Sequence, residues 1–197
     1  MPTWSQKMIN ILEENNISYP KNIIEIITPL GDFGTAEYFK NHFHMKLSPE
    51  EMVERMNEYA YPRYKDTIVL KEGVFDYLSM LKRNACSLSV LTASPHKMLD
   101  PCLKRNNIYD LFDHIWSCDD FGLPKSDVKI YEEVLKRIGC NKEEAVFFDD
   151  NIGAVSTAKK AGIYTVAVFD ASGQAFADSL KNMADQYIES FVGLEKI

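Results

Sequence analysis

Two adjacent carboxylates, Asp149 and Asp150, follow a short apolar run, AVFF. After them come small and apolar residues at helical spacing: Ile152, Val155, Ala158 and Ala161. Like charges side by side repel unless something positive neutralises them, and a hard divalent cation such as Mg2+ does so through oxygen ligands. A bare Asp-Asp-Asn could equally be a solvated turn. Its surroundings favour chemistry. Gly162 suits the residue just past a helix, and a second apolar run covers residues 163–168. Strand, loop, helix, strand is the unit of a parallel sheet. An apolar run without polar alternation fits a strand covered on both faces. The acidic pair then ends a buried strand, where open α/β sheets place their ligands. Thr92, after SLSVL, and Lys125, in the loop before a helix expected from Asp127, hold comparable places. Singly, Thr92 could satisfy a turn and Lys125 could be a surface lysine. As an ordered set with intervening helices they describe a phosphate site. The hydroxyl and nearby N–H groups bond the oxygens, the ammonium neutralises charge, and Mg2+ bridges phosphate to carboxylate.

The chain of 197 residues fits one domain with an appendage, or two small ones, and its 46% hydrophobic content supports a real core. A net charge of −7 without Lys/Arg clusters argues against nucleic acid or a membrane surface as partner. No apolar stretch approaches the ~20 residues of a membrane span, and no signal-peptide pattern is present. Cys86, Cys102, Cys118 and Cys140 form no CxxC. Zinc is therefore not expected. Reduced thiols in a cytoplasmic protein are the simplest account, with Cys86 and Cys118 in or beside strands and mostly buried.

The elements that must position these residues fall into two textures. Residues 1–65 read as four helices. Thr3 and Gln6 suggest a capping box ahead of a stripe of Trp4, Met8, Ile11 and Leu12. A second helix is expected over residues 21–27, and a third from Asp32 with Ala36, Phe39 and Phe43 on one face. Ser48, Pro49 and Glu51 give a strong helix start, with Met52, Met56 and Tyr59 continuing inward. These methionines and aromatics read as packing in a small bundle rather than a cofactor box. From residue 66 to 197 helices and strands alternate, which predicts an α/β core with a largely parallel sheet. Helices are expected over 72–84 (Val74, Phe75, Leu78 and Leu81 inward), 96–106, 127–138 and 175–183. Strands are expected over 87–91, 114–117 and 186–188, besides the two flanking the Asp149 helix.

At this point the chain resembles the haloacid dehalogenase-like (HAD) superfamily. The likeness is to helical-cap phosphatases of the phosphoglycolate phosphatase and β-phosphoglucomutase-like subgroup, and it covers nearly the whole chain. LKEGVFDYLSMLKRN resembles the return from the cap into a Rossmann-like core. SLSVLTASP resembles the second family motif, with Thr92 as its hydroxyl residue. KSDVKIY resembles the third, with Lys125 as its lysine; the family has prolines where this chain has Ser126 and Val128. That departure bears on the stiffness of the loop and leaves the charge in place. FFDDNIGAVSTAKKAG matches the fourth, with Asp149 and Asp150 as metal-site acids. The resemblance implies a Mg2+-dependent hydrolase of a small phosphorylated metabolite, with residues 1–65 as the cap that helps choose it.

The first family motif, a strand ending in DxDGT that carries the nucleophile and the general acid/base, is not found. The one Gly-Thr pair, in GDFGT, puts Gly31 and Phe33 where the aspartates belong, so Asp32 reads as a helix start. In relatives that motif runs directly into a stretch like Met1-Pro2-Thr3-Trp4, and the chain is expected to begin just after its nucleophile. Two functions follow. One is part of a phosphate-monoester hydrolase that works through an aspartyl-phosphate and is inactive as given. The other is a non-catalytic HAD-like protein that binds phosphate or a partner. A phospho-receiver domain is excluded because its acid pair ends the first strand. A halide-removing relative has no need of the acidic pair. The expected strand would lie between those ending at Thr92 and Asp149. Without it, the two flanking strands should pair directly, accept another segment, or leave exposed edges. A hinge is expected near residues 70–73, with the N-terminus free and the cap less constrained.

Overall fold

The computed structural model describes residues 2–195. Four helices come first: α1 (Pro2–Glu14), α2 (Ile23–Ile27), α3 (Gly31–Phe43) and α4 (Pro49–Asp66), with a 3-10 turn at Thr28–Leu30 between α2 and α3. The start of α4 is fixed by the expected side chains. Ser48 Oγ accepts from the Glu51 N–H at 3.1 Å, and the Glu51 carboxylate accepts from the Ser48 N–H at 2.7 Å. Pro49 takes the first helical position, where no amide hydrogen is needed. The capping box expected at Thr3 and Gln6 is not formed. Thr3 lies inside α1, which already begins at Pro2, and is buried. Met8, Ile11 and Leu12 of α1, Phe39 of α3, and Met52 and Met56 of α4 are fully buried in one cluster. Each such side chain contributes roughly 1.5–3 kcal/mol.

Helices and strands then alternate: α5 (Val74–Arg83), β1 (Ser89–Thr92), α6 (His96–Arg105), β2 (His114–Ser117), α7 (Val128–Ile138), β3 (Val146–Asp149), α8 (Ile152–Lys160), β4 (Tyr164–Val168), α9 (Ala177–Met183) and β5 (Gln186–Ile188). Every strand pairing is parallel, as expected. The strands form two groups, β1 with β2 and β3 with β4 and β5. Direct pairing of β1 with β3, one of the expected outcomes, does not occur. Burial follows the pairing. β4, with a neighbour on each edge, buries four of its five residues, whereas β1 and β3 have no fully buried residue. The expectation that AVFF is a buried strand covered on both faces is met only in part: Phe147 and Phe148 are partly buried, and Val146 is 38% exposed. A strand is shielded by its neighbours as well as by the helices above and below it.

Side chains hold the two groups of strands together. Consecutive strand residues point to opposite faces, and Phe147 and Phe148 of β3 use both. On one face, Ile130 and Tyr131 of α7 pack in a cluster that includes Leu91 of β1 and Phe147 of β3. The Tyr131 ring meets that of Phe147 edge-on at 5.2 Å. On the other, Tyr77 of α5 lies 5.8 Å from Phe148 and 5.6 Å from Phe191. Phe75, expected to point inward, is 47% exposed. Two residues along a helix is a rotation of about 200°, so burying Tyr77 against Phe148 turns Phe75 outward. Cys118 and Cys102 are buried, but Cys86 is only half-buried because β1 starts at Ser89 and leaves it in the preceding loop. Among the described residues no helix is long and apolar enough to cross a membrane. The expected free N-terminus concerns Met1, outside the described residues.

Gly73, in the expected hinge, caps α5 with φ +80°, and a Cβ there would lie 2.5 Å from the Val192 backbone nitrogen. Alanine would carry the left-handed cost of roughly 1–2 kcal/mol and also push away the 191–192 segment. The Gly73→Ala variant should lower the thermal midpoint by about 3–8 °C by circular dichroism; an unchanged midpoint would contradict this packing.

Candidate active site

Thr92, Lys125, Asp149 and Asp150 all line one cavity of about 710 Å3. Its walls are the carboxyl ends of β1 and β3 and, opposite them, residues of α1, α3 and α4 such as Trp4, Asp32 and Asn57. Thr92 ends β1, and its Oγ1 accepts from the Ser94 N–H at 3.1 Å, so the hydroxyl shapes the turn that faces the cavity. Lys125 is no surface lysine. Its side chain is 22% exposed, and its ammonium donates to Asp149 Oδ2 at 2.6 Å. Burial by itself pushes the Lys125 pKa down, but the Asp149 carboxylate outweighs this and holds it above the usual lysine value.

The Lys125 loop is braced from below. Asp127 caps α7 by accepting from the Lys129 N–H at 3.0 Å, and Gly139, at φ +67°, ends the helix. The Tyr131 hydroxyl lies 3.0 Å from the Lys125 carbonyl and 3.1 Å from the Ala154 carbonyl, one proton shared between two acceptors. Ser126 and Val128, where the family pattern has prolines, therefore sit in a loop that α7 itself pins.

Asp149 is engaged through both oxygens, since its Oδ1 also accepts from the Asn151 N–H at 2.8 Å. Burial, and then the neighbouring Asp149 charge, push the Asp150 carboxyl above the ordinary aspartate value. A cation beside it would reverse that shift. Among the described residues no group of three or more His, Cys, Asp or Glu side chains is arranged around a metal position. An all-oxygen pair suits Mg2+, which takes one or two carboxylates and completes its shell with water and phosphate oxygens. Burial raises the Cys118 thiol beside the cavity, which disfavours a soft-metal site.

Three residues here escaped the sequence reading. Asn151 caps α8, its Oδ1 accepting from Gly153 and Ala154 N–H at 2.8 and 3.1 Å, while its Nδ2 donates to the Thr28 carbonyl at 2.9 Å. An Asn just before a helix is a readable cap, but its second bond is a tertiary fact. Ser94 shares a 2.8 Å hydrogen bond with Tyr64 of α4. Asp170 follows the apolar run of β4 as Asp149 follows that of β3, so the same strand-end argument could have found it. Burial pushes its carboxyl up, but the Lys71 ammonium at 2.7 Å and the Ser172 donors prevail and hold it well below the usual range.

Replacing Tyr131 by Phe keeps the ring and removes the hydroxyl that bridges the Lys125 and Ala154 carbonyls. We expect a loss of roughly 1–3 kcal/mol by urea denaturation. A stability within 0.3 kcal/mol of the parent, a difference well below that of a lost buried hydrogen bond, would show that the bridge is idle.

Comparison with known proteins agrees with this geometry. Residues 3–168 match the family model for haloacid dehalogenase-like hydrolases. The Bacillus subtilis (strain 168) protein YhcW is 25% identical over 159 residues, covering 80% of this chain and 72% of the relative. Phosphoglycolate phosphatase 1 of Pseudomonas aeruginosa is 30% identical over 122 residues, covering 60% of this chain and 45% of the relative. This chain therefore spans less than half of that enzyme's length. The crystal structure of CbbY from Rhodobacter sphaeroides in complex with xylulose-(1,5)bisphosphate superimposes with a TM-score of 0.80 at 19% identity, covering 98% of this chain and 89% of that one. At that identity the likeness speaks for the fold. With the family model matching most of its length, the chain belongs to the haloacid dehalogenase-like hydrolase family.

Proposed function

We propose that residues 1–65 are the cap and residues 66–197 the core of a phosphate-monoester hydrolase acting on a small phosphorylated metabolite. Lys125 and the Thr92 turn hold the phosphate, and Asp149 and Asp150 are the carboxylates of a Mg2+ site. The observation that carries this reading is the convergence of all four on one cavity at the strand ends. Lys125 neutralises phosphate oxygens while Asp149 fixes its position. Thr92 and the backbone around Ser94 offer hydrogen bonds. Mg2+, when bound, would neutralise further charge on the phosphate. The unpaired cysteines fit a reducing, cytoplasmic setting.

The second half of the proposal is that this chain binds phosphate without turning it over. Transfer to a carboxylate needs one free to attack in line. Asp149 is tied to Lys125 and Asn151. Asp32 accepts from Lys7 at 2.5 Å and Trp4 at 3.0 Å. Burial raises both the Cys118 thiol and the Tyr64 phenol, so neither is an anionic nucleophile near neutral pH. The strand that would carry the attacking Asp belongs, on this reading, between β1 and β3. A non-catalytic phosphate-binding protein remains the second reading, favoured by the engagement of Asp149 and Asp32 in hydrogen bonds among the described residues.

The test is an assay with Mg2+ and p-nitrophenyl phosphate on two proteins: this chain, and this chain fused at its N-terminus to an apolar strand ending in DxDGT. Turnover by the fusion alone is expected. Mg2+-dependent turnover by the unfused chain that disappears in Asp150→Asn would sink the inactivity proposal. Silence in both would favour the non-catalytic reading.

A further inference from the structure

The turn after β1 and the loop after β2 both reach the cavity. Thr92, Ala93, Ser94 and Pro95 line it from the first, Cys118 and Asp119 from the second. The β1–β2 ladder holds the two together as far as its last pair, Thr92 with Ser117. Beyond that pair, among the described residues, no backbone hydrogen bond joins residues 93–96 to residues 118–121. A side chain does so instead. His96, the first residue of α6, places its Nε2 2.8 Å from Asp120 Oδ2. Its Nδ1 lies 2.9 Å from Asp100 Oδ1, one turn further along α6. Asp120 is itself anchored. Its Oδ2 also accepts from the Ser117 N–H at 2.9 Å, and its carbonyl accepts from Arg137 of α7 at 3.3 Å.

Both ring nitrogens therefore face carboxylate oxygens, which when ionised only accept. Two such bonds need two N–H donors, and imidazolium is the form of histidine that has both. The neutral ring has one proton for two acceptors. We propose that His96 is a pH-sensitive clamp on the cavity rim: as the cation it ties the turn after β1 to the loop after β2, and on losing its proton it loosens that tie. The inference goes beyond the phosphate reading and does not depend on what the cavity binds. The charged groups around the ring are Asp100 on its own helix and Asp120 across from it, with Arg137 of α7 the cation beside Asp120. The bond to Asp100, and then that to Asp120, raise the His96 pKa above the ordinary 6.5. Burial pushes the Asp120 carboxyl up, but the His96 ring and the Ser117 N–H outweigh this and hold it below the usual aspartate value. Asp120 thus stays ionised while His96 titrates. A histidine raised in the folded state adds stability that is fully present below its unfolded pKa and is lost as pH rises through the folded value.

NMR of the 197-residue chain tests this. The His96 ring should titrate above 6.5, with both nitrogens protonated below its midpoint. Backbone order parameters of Ala93, Ser94 and Asp119 should be about 0.85 below that midpoint and fall above it. Asp100→Asn is the discriminating variant. Its amide can donate to an unprotonated Nδ1 and leave Nε2–H for Asp120. It should lower the His96 midpoint and keep the order parameters high on both sides of it. Thermal melts give an independent reading. His96→Gln should melt about 1–3 °C below the parent at about pH 5.5, and the gap should close by about pH 9. A His96 midpoint at or below 6.5 overturns the inference, as do order parameters that ignore the midpoint in the parent chain. A melting gap that is the same at both pH values also overturns it, because that marks a packing role for the ring.

Discussion

A strand inside a parallel sheet owes its position to hydrogen bonds on both edges, and β1 and β3 each have a strand partner on one edge alone. Side-chain packing links the two groups of strands. Tyr131 does most of this on one face, with its ring on Phe147, its cluster reaching Leu91, and its hydroxyl between the Lys125 and Ala154 carbonyls. On the other face Tyr77 packs against Phe148 and Phe191 of the β3–β5 side. The Lys125–Asp149 ion pair joins the loop after β2 to the end of β3 at the cavity itself. It is a short, mostly buried pair. Removing either partner would leave an uncompensated charge, which is far more costly than the intact pair is stabilising. The polar groups that line the cavity are thus placed by the same contacts that hold the two groups of strands in one frame.

The helical layer relates to this frame differently. None of the buried apolar clusters mixes residues of α1–α4 with residues of the α/β layer. α4 also packs on α6, and polar links between the layers include Asn151 to Thr28 and Tyr64 to Ser94, with Asn106 to Ile68 at 3.0 Å just beyond α4. Lys71 to Asp170 and Phe169 anchors the connecting segment just beyond. Hydrogen bonds of this kind can be exchanged for water at small net cost, whereas apolar clusters cannot.

Much of this was legible in the residues. The Ser48 box, the Asp127 and Gly139 caps, and the strands at 114–117 and 186–188 depend on short-range chemistry that neighbours in sequence display. So does the gathering of Thr92, Lys125, Asp149 and Asp150, since strand ends in a parallel sheet share one edge. The errors have a common origin in tertiary context. Phe75 and Tyr77 are both large and apolar, and only the location of Phe148 decides which one is buried. Val146 looks like an interior strand residue until the free edge of β3 is known.

The account turns on β1 and β3 having one free edge each, and amide hydrogen exchange followed by NMR reads that most directly. In a parallel ladder alternate N–H groups point to opposite edges. In β4, paired on both sides, every amide should be protected. In β1 and β3 protection should alternate, with every second amide between Ser89 and Thr92 and between Val146 and Asp149 exchanging much faster than its neighbours. Uniform protection of β1 and β3 at the level of β4 would contradict the account.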